Sequence, residues 1–253
     1  AVGLQHEAQQ RGIVAGLPQA DLDPRPESLR AVNVDLTQYP PGTISGVLDD
    51  LTYFGWLRIP LRWSQIEPTR GFFDWSLPDG ALPDAAARGY RLILVLLDAP
   101  DWAKPTGAEA NTPVGDVAAF AGYAAAVAER YGGVVDAYQV WDEPNLLSGW
   151  GYRPSAAGYT ALLSTSYPAL KAADPTATVI AAALAPTLET GPDNISDLLY
   201  LQQLYDLEAD SFFDAVAGKP YGFATGPGDR DAVADRLTLS RFVLLRDVME
   251  RNG

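Results

Sequence analysis

The tetrapeptide Trp141-Asp142-Glu143-Pro144 stands at the end of the apolar run Val134-Val135-Asp136-Ala137-Tyr138-Gln139-Val140. It puts a carboxylic acid where a buried strand breaks out into a loop. In a parallel α/β barrel that is the end of the strand where chemistry takes place. An aromatic ring precedes Glu143 by two residues, and the proline directly after it stiffens the exit. Breaking a sugar–oxygen bond needs such parts: a carboxyl that can carry a proton to a leaving oxygen, and a flat apolar face to hold a ring. The same four residues also suit a strand-end acid that caps the following loop, so the surroundings must separate the two readings.

Those surroundings alternate short aliphatic runs with longer helical patterns, which predicts a parallel sheet covered by helices. After a proline-rich entry from Pro18 to Pro26, residues 31–36 read as strand one and residues 57–63 as strand two, with a short helix over 44–55 between them. A helix over 78–88 leads to strand three, Arg91 to Leu97, an apolar run typical of strands buried on both faces. Val117, Phe120, Ala124, Val127 and Tyr131 recur at helical steps until Gly132-Gly133 stop them. Strand four carries the Trp-Asp-Glu-Pro segment, and a helix over 155–173, bent at Pro168, follows it. Strand five is Thr178 to Leu184, ahead of an excursion with a helix near 197–207. Ala215-Val216-Ala217 opens strand six, and a last helix over 237–251 sets Phe242, Leu245 and Met249 on one side. The predicted fold class is therefore α/β, a (β/α)8 TIM-barrel type with about six βα units. Residues 1–30 are read as an N-terminal extension and 31–253 as the barrel, the C-terminal part of which lies outside this sequence. Gly12 to Leu17 is the alternative source of another strand.

Composition narrows the chemistry. The 253 residues include no cysteine and one histidine, His6, which argues against disulfides, thiolate metal sites and a histidine-based triad or zinc site. A net charge of −14 with no basic cluster would repel a phosphate backbone or an anionic membrane. Nucleic-acid partners are therefore not expected, whereas neutral oligo- or polysaccharides are acceptable ones. No segment approaches the length of a membrane span. No calcium-loop, phosphate-cradling glycine loop or thiolate pattern occurs, so no metal and no cofactor is expected. Met249 is the only methionine, so Ala1 is not a translation start. A processed protein, extracellular or in the cell envelope, is the expectation. Asn194-Ile195-Ser196 fits a glycosylation sequon and equally a helix-entry cap.

Three motifs in order carry a family resemblance. Leu57-Arg58-Ile59-Pro60, followed by Trp63-Ser64-Gln65-Ile66-Glu67-Pro68 and Gly71-Phe72-Phe73-Asp74-Trp75, resembles the strand-two segment of clan A glycoside hydrolases, close to families 5, 39 and 42. Tyr138 to Asn145 resembles their strand-four acid/base motif, and Lys219-Pro220-Tyr221-Gly222 their strand-six His-Pro-Tyr motif. The resemblance spans roughly residues 31–250. It implies a retaining double displacement on a β-linked glycan, with Glu143 first as general acid and then as base. A second carboxylate, about 5 Å away, attacks the anomeric carbon. In the clan that nucleophile is a glutamate at the end of strand seven, which is expected beyond residue 253. Asp98, Asp101, Asp35 and Glu189 are the alternative acids for an inverting mechanism, which requires a separation of roughly 6.5–9.5 Å.

The resemblance also marks substrate-binding positions. Arg58 resembles the arginine that holds the nucleophile ionised, and Tyr221 the tyrosine that supports it. Trp63, Trp102, Trp141 and Trp150 fall at or just after strand ends, where stacking on sugar faces is expected, and Asp101 lies beside Trp102. Two positions depart from the clan. Asp142 replaces an asparagine that contacts the sugar 2-hydroxyl. Its charge would either help keep Glu143 protonated or be paired by Arg58 or Arg62. Lys219 replaces histidine, and can contact a hydroxyl or neutralise a carboxylate but cannot act as neutral imidazole. The competing expectations are a non-catalytic carbohydrate-binding barrel, gripping glycans through its tryptophans, and a scaffold associated with polysaccharide export.

Overall fold

Side-chain alternation along the apolar runs decides which face of each strand meets a helix. The computed structural model describes residues 30–40, 42–108, 112, 115–223, 225, 226 and 228–253. The alternative strand at 12–17, and the N-terminal extension apart from Arg30, lie outside the described residues. Among the described residues five strands run parallel and side by side in chain order: β1 (Ala31–Asn33), β2 (Trp56–Arg62), β3 (Arg91–Leu97), β4 (Ala137–Asp142) and β5 (Thr178–Ala183). The helices are α1 (Ile44–Asp50), α2 (Trp63–Ile66), α3 (Ser76–Ala87), α4 (Val117–Tyr131), α5 (Leu147–Trp150), α6 (Ala156–Ala173), α7 (Asp197–Asp206) and α8 (Phe242–Asn252). Strand–helix alternation with neighbouring parallel strands is the architecture of a partial (β/α)8 barrel.

In β2, Leu57, Ile59 and Leu61 are buried, while Arg58, Pro60 and Arg62 project to the opposite face. Leu92, Leu94 and Leu96 of β3 and Val179 of β5 join the buried set. Helix tyrosines tie the two layers together through the strand backbone. Tyr123 of α4 donates to the Leu61 carbonyl at 2.8 Å. Tyr159 of α6 donates to the Val140 carbonyl at 2.7 Å and accepts from the Ala182 amide at 2.6 Å. Each buried hydroxyl is thereby satisfied, which avoids the cost of an unpaired polar group in the core. The two longest helices start on side-chain caps. Asp116 accepts from the amides of Ala118 and Ala119, and Ser155 from that of Gly158.

The expected sixth strand does not form as a ladder. Residues 215–219 run beside β5 through two isolated parallel bridges, Ile180 with Ala215 and Leu184 with Gly218. The two bridges differ by one residue in register, which interrupts the ladder between them, and at the start of the segment the Asp214 carboxylate takes the Val179 amide at 2.8 Å in place of a backbone carbonyl. Asp214 also pairs with Lys171 at 2.7 Å and accepts from the Tyr167 hydroxyl at 2.9 Å, which pins the segment to α6. Other boundaries are also corrected. Strand one stops at Asn33, because Asp35 accepts from the Thr37 amide and winds Leu36–Gln38 into a 3-10 turn. The first helix ends at Asp50, short of Gly55. The last begins at Phe242 after the 3-10 turn Leu239–Arg241, and it buries Leu245 and Val248 while Phe242 stays 40% exposed.

Candidate active site

The C-terminal end of β4 is shaped by two non-glycine residues in the left-handed region, Trp141 at φ 68° and Glu143 at φ 50°. Such backbone is costly for these residue types and concentrates at functional sites. Its consequence here is a change of face. Gln139 lines the concave side of the sheet, so strict alternation would send Trp141 inward and Asp142 outward. Instead the Trp141 indole packs against Phe120 of α4 and Trp150 of α5, and its Nε1 donates to the Gly149 carbonyl at 2.9 Å. Asp142 turns inward beside Gln139, whose amide donates to it at 3.1 Å.

A line of alternating charge results. The Arg58 guanidinium donates to Asn33 at 3.0 Å, Gln139 at 3.0 Å and Asp142 Oδ1 at 2.8 Å. Lys219 Nζ lies 2.8 Å from Asp142 Oδ2 and 2.8 Å from Glu143 Oε1. Burial of the ammonium opposes its charge, but hydrogen bonds to Asp142 and Glu143 prevail and Lys219 is raised above the ordinary lysine value. The charge of Asp142 is thus met by Arg58 and Lys219, and the like-charge contact expected between Asp142 and Glu143 is bridged by a shared cation. Asn33, Arg58, Gln139, Lys219 and Tyr221 line a cavity of about 300 Å³ on this concave face.

A second cluster sits at the ends of β1, β2 and β3. Arg62 spans Asp35, at 2.8 Å, and Asp98, at 3.1 Å. Burial pushes the Asp98 carboxyl above the usual range in spite of Arg62 and Lys104. Burial acts in the same sense on Asp35, but there the hydrogen bonds from Arg62 and Thr37 win and the carboxyl is lowered. Asp98 also holds a left-handed backbone, φ 57°, and its carbonyl accepts from the Ser64 amide at 2.8 Å.

The structure brings Arg58, Asp142, Glu143 and Lys219 into one network and leaves other expected residues outside it. Trp63 is wholly buried, stacked on Tyr123 at 5.5 Å and edge-on to Trp102 and Phe120. Trp141 and Trp150 are buried as well. None of these three offers a free face to a sugar, because the helix layer covers them. Trp102 is partly exposed, with its Nε1 on the Glu67 carbonyl and Arg70 over its ring at 5.4 Å. Asp101 is fully exposed and among the described residues its carboxylate meets only Lys104, at 3.2 Å. Tyr221 is 53% exposed at the cavity rim.

Two supporting residues had no role assigned from the sequence. Buried Glu67 accepts from Trp63 Nε1 and the Gly71 amide, both at 2.7 Å, and so fixes the loop after β2. The four-residue helical spacing from Trp63 to Glu67 was its only signal. Asn145, with no exposed surface, donates to the carbonyls of Ala185 and Ile195 and accepts from the Ala185 amide, which locks the loop after β4 to the loop after β5. No local pattern marks such a bond across 40 or 50 residues of chain.

Gly149 lies directly beneath Glu143. A Cβ there would stand 2.2 Å from the Glu143 carbonyl oxygen and 2.8 Å from its Cβ, and backbone cannot yield as a flexible side-chain tip can. Gly149→Ala is therefore expected to displace Glu143 and draw its carboxylate away from Lys219, now 2.8 Å away. A crystal structure of the variant beside a thermal melt checks this, because the contact should be lost while the folded state persists.

A family 39 β-xylosidase from Caulobacter crescentus aligns at a TM-score of 0.60 and 18% identity, over 88% of this chain and 49% of that one. Xylanase 10B from Thermotoga maritima aligns at 0.60 and 16%, over 87% of this chain and 66% of that one. This chain shares its fold with clan A glycoside hydrolases. A β-galactosidase from the psychrophilic Marinomonas ef1 aligns at 0.57 and 13%, over 76% of this chain and 40% of that one. The chain therefore spans between 40% and 66% of the length of these three glycosidases. No family model and no curated protein sequence matches it.

Proposed function

We propose that this chain is the acid/base-bearing part of a retaining glycoside hydrolase acting on a neutral β-linked glycan. The observation that carries the reading is the placement of Glu143 at the C-terminal end of β4, in contact with a lysine that lines the concave cavity. Lys219 takes Oε1, which leaves Oε2 for proton transfer. In the first step Glu143 protonates the departing glycosidic oxygen while a second carboxylate attacks the anomeric carbon. In the second it takes a proton from water as the glycosyl–enzyme bond breaks. The nucleophile is assigned to chain following residue 253, in keeping with the share of the neighbours that this sequence spans. The neighbours named a xylosidase, a xylanase and a galactosidase make β-xylosides and β-galactosides the first substrates to try. The carbohydrate-binding alternative has less support, since three of the four tryptophans it relied on are buried.

The anomer first released by the full-length protein tests the mechanism. Proton NMR during cleavage of a β-xyloside or β-galactoside should show the β-hemiacetal before mutarotation. An initial α product would mean inversion, and the second carboxylate would then have to be sought among more distant acids such as Asp98.

A further inference from the structure

Among the described residues the Glu143 carboxylate has one hydrogen-bond partner, the Lys219 ammonium at 2.8 Å. Backbone on both flanks of β5 sets that contact. The Glu143 amide donates to the Ala183 carbonyl at 3.0 Å, and the Lys219 amide to the next carbonyl, Leu184, at 2.9 Å. Adjacent groups at the end of one strand thus hold the two residues on either side of it. Ala183 lines the same cavity, and its single methyl leaves the lysine stem room to cross. The ammonium is braced in turn by Asp142. Oδ1 of Asp142 accepts from Arg58 at 2.8 Å and Gln139 at 3.1 Å, which leaves Oδ2 for Lys219, also at 2.8 Å. Arg58 is itself tied to Asn33 and Gln139, so Asp142 is an anchored anion. Glu143, by contrast, opens a loop on left-handed backbone, and its flexible side chain must be oriented before it can pass a proton.

We infer that Lys219 is a positioning residue: braced by Asp142, it fixes the Glu143 carboxylate with Oε2 toward the departing oxygen, and it acts through Glu143 rather than on the sugar. This rests on the glycosidase reading above and deepens it. Lys219 and Asp142 then work in series, because the ammonium can hold Glu143 in place only while Asp142 holds the ammonium.

The test uses the full-length protein with xylobiose, lactose and the dinitrophenyl glycosides of xylose and galactose. Lys219→Met keeps the aliphatic stem and removes the ammonium. On the disaccharide that wild type cleaves, it should lower kcat about 10- to 100-fold with KM within about twofold, since orientation rather than binding is lost. On the matching dinitrophenyl glycoside, whose departure needs no proton, kcat/KM should fall less than about threefold. In the Glu143→Gln background, Lys219→Met should lower kcat no further. Propylammonium should raise kcat of Lys219→Ala, while propanol, neutral and of similar size, should not. An equal loss on the dinitrophenyl glycoside, or losses in Lys219→Met and Glu143→Gln that multiply, overturns the positioning role and gives Lys219 to the nucleophile or the sugar. Wild-type rates in Lys219→Met, or rescue by propanol as well, overturn it too. Wild type that cleaves none of the four sinks the glycosidase reading, and the role with it.

Discussion

Glu143→Gln is expected to lower kcat/KM of the full-length protein on β-linked oligosaccharides by about 100- to 10,000-fold, the range that general acid–base catalysis supplies. Glutamine keeps the shape of the side chain and an oxygen for the Lys219 ammonium, which now lies 2.8 Å from Oε1, but it cannot carry or accept the transferred proton. The network through Asp142 and Arg58 should therefore stay in place, and sugar binding should change little. The loss should also depend on the leaving group. A dinitrophenyl glycoside departs without protonation, so its first step should be almost spared, and the slow step becomes breakdown of the glycosyl–enzyme, where the missing base is felt. Equal losses on activated and unactivated substrates would assign Glu143 to positioning rather than proton transfer. Wild-type rates in the variant would remove it from the chemistry.

The largest expected effect on stability lies away from the site, at the ion pair of Asp197 and Arg241. Arg241 on the 3-10 turn before α8 donates through Nε and Nη2 to Asp197 at the start of α7, at 2.8–3.0 Å, and their side chains are 1% and 3% exposed. Arg241 also reaches the carbonyls of Ala234 and Arg236. Removing one partner leaves the other charge buried and unpaired, which costs about 3–5 kcal/mol. Asp197→Asn should therefore lower the melting temperature by roughly 10 °C, at about 2–4 °C per kcal/mol for a chain of this size. A change of under about 1 kcal/mol would show that water reaches the pair. Replacing both residues with apolar ones of similar volume should recover much of the loss. The consequence reaches the candidate site through packing. A Cβ at Gly218 would come within 2.5 Å of Leu245 on α8, so that helix lies directly against the backbone beside Lys219. Loosening α8 should thus weaken the Lys219 bridge as well as the fold.

The sequence alone determined the elements whose signals are local. β3 spans Arg91–Leu97 as read from its unbroken apolar run, and α4 spans Val117–Tyr131 as read from its periodicity and its glycine stop. A strand-end glutamate at 143 was legible for the same reason, because the run before it and the proline after it are neighbours in sequence. What only tertiary structure decided are relations between distant residues. Lys219 meets Asp142 and Glu143 across more than 70 residues, and which of two arginines pairs with Asp142 depends on the face to which Trp141 turns the chain. The tryptophans show the limit most directly. A strand-end indole can face a ligand or the helix layer with the same local sequence, and here Phe120, Tyr123 and Trp150, brought in by α4 and α5, cover Trp63 and Trp141. Likewise Ala215 to Ala217 has the composition of a strand, yet it meets β5 in two bridges one residue out of register, and the Asp214 side chain takes the Val179 amide that would extend the pairing at its start. Propensity and pattern act over a few residues, whereas packing, charge pairing and competition for backbone amides are settled only when segments far apart in the chain meet.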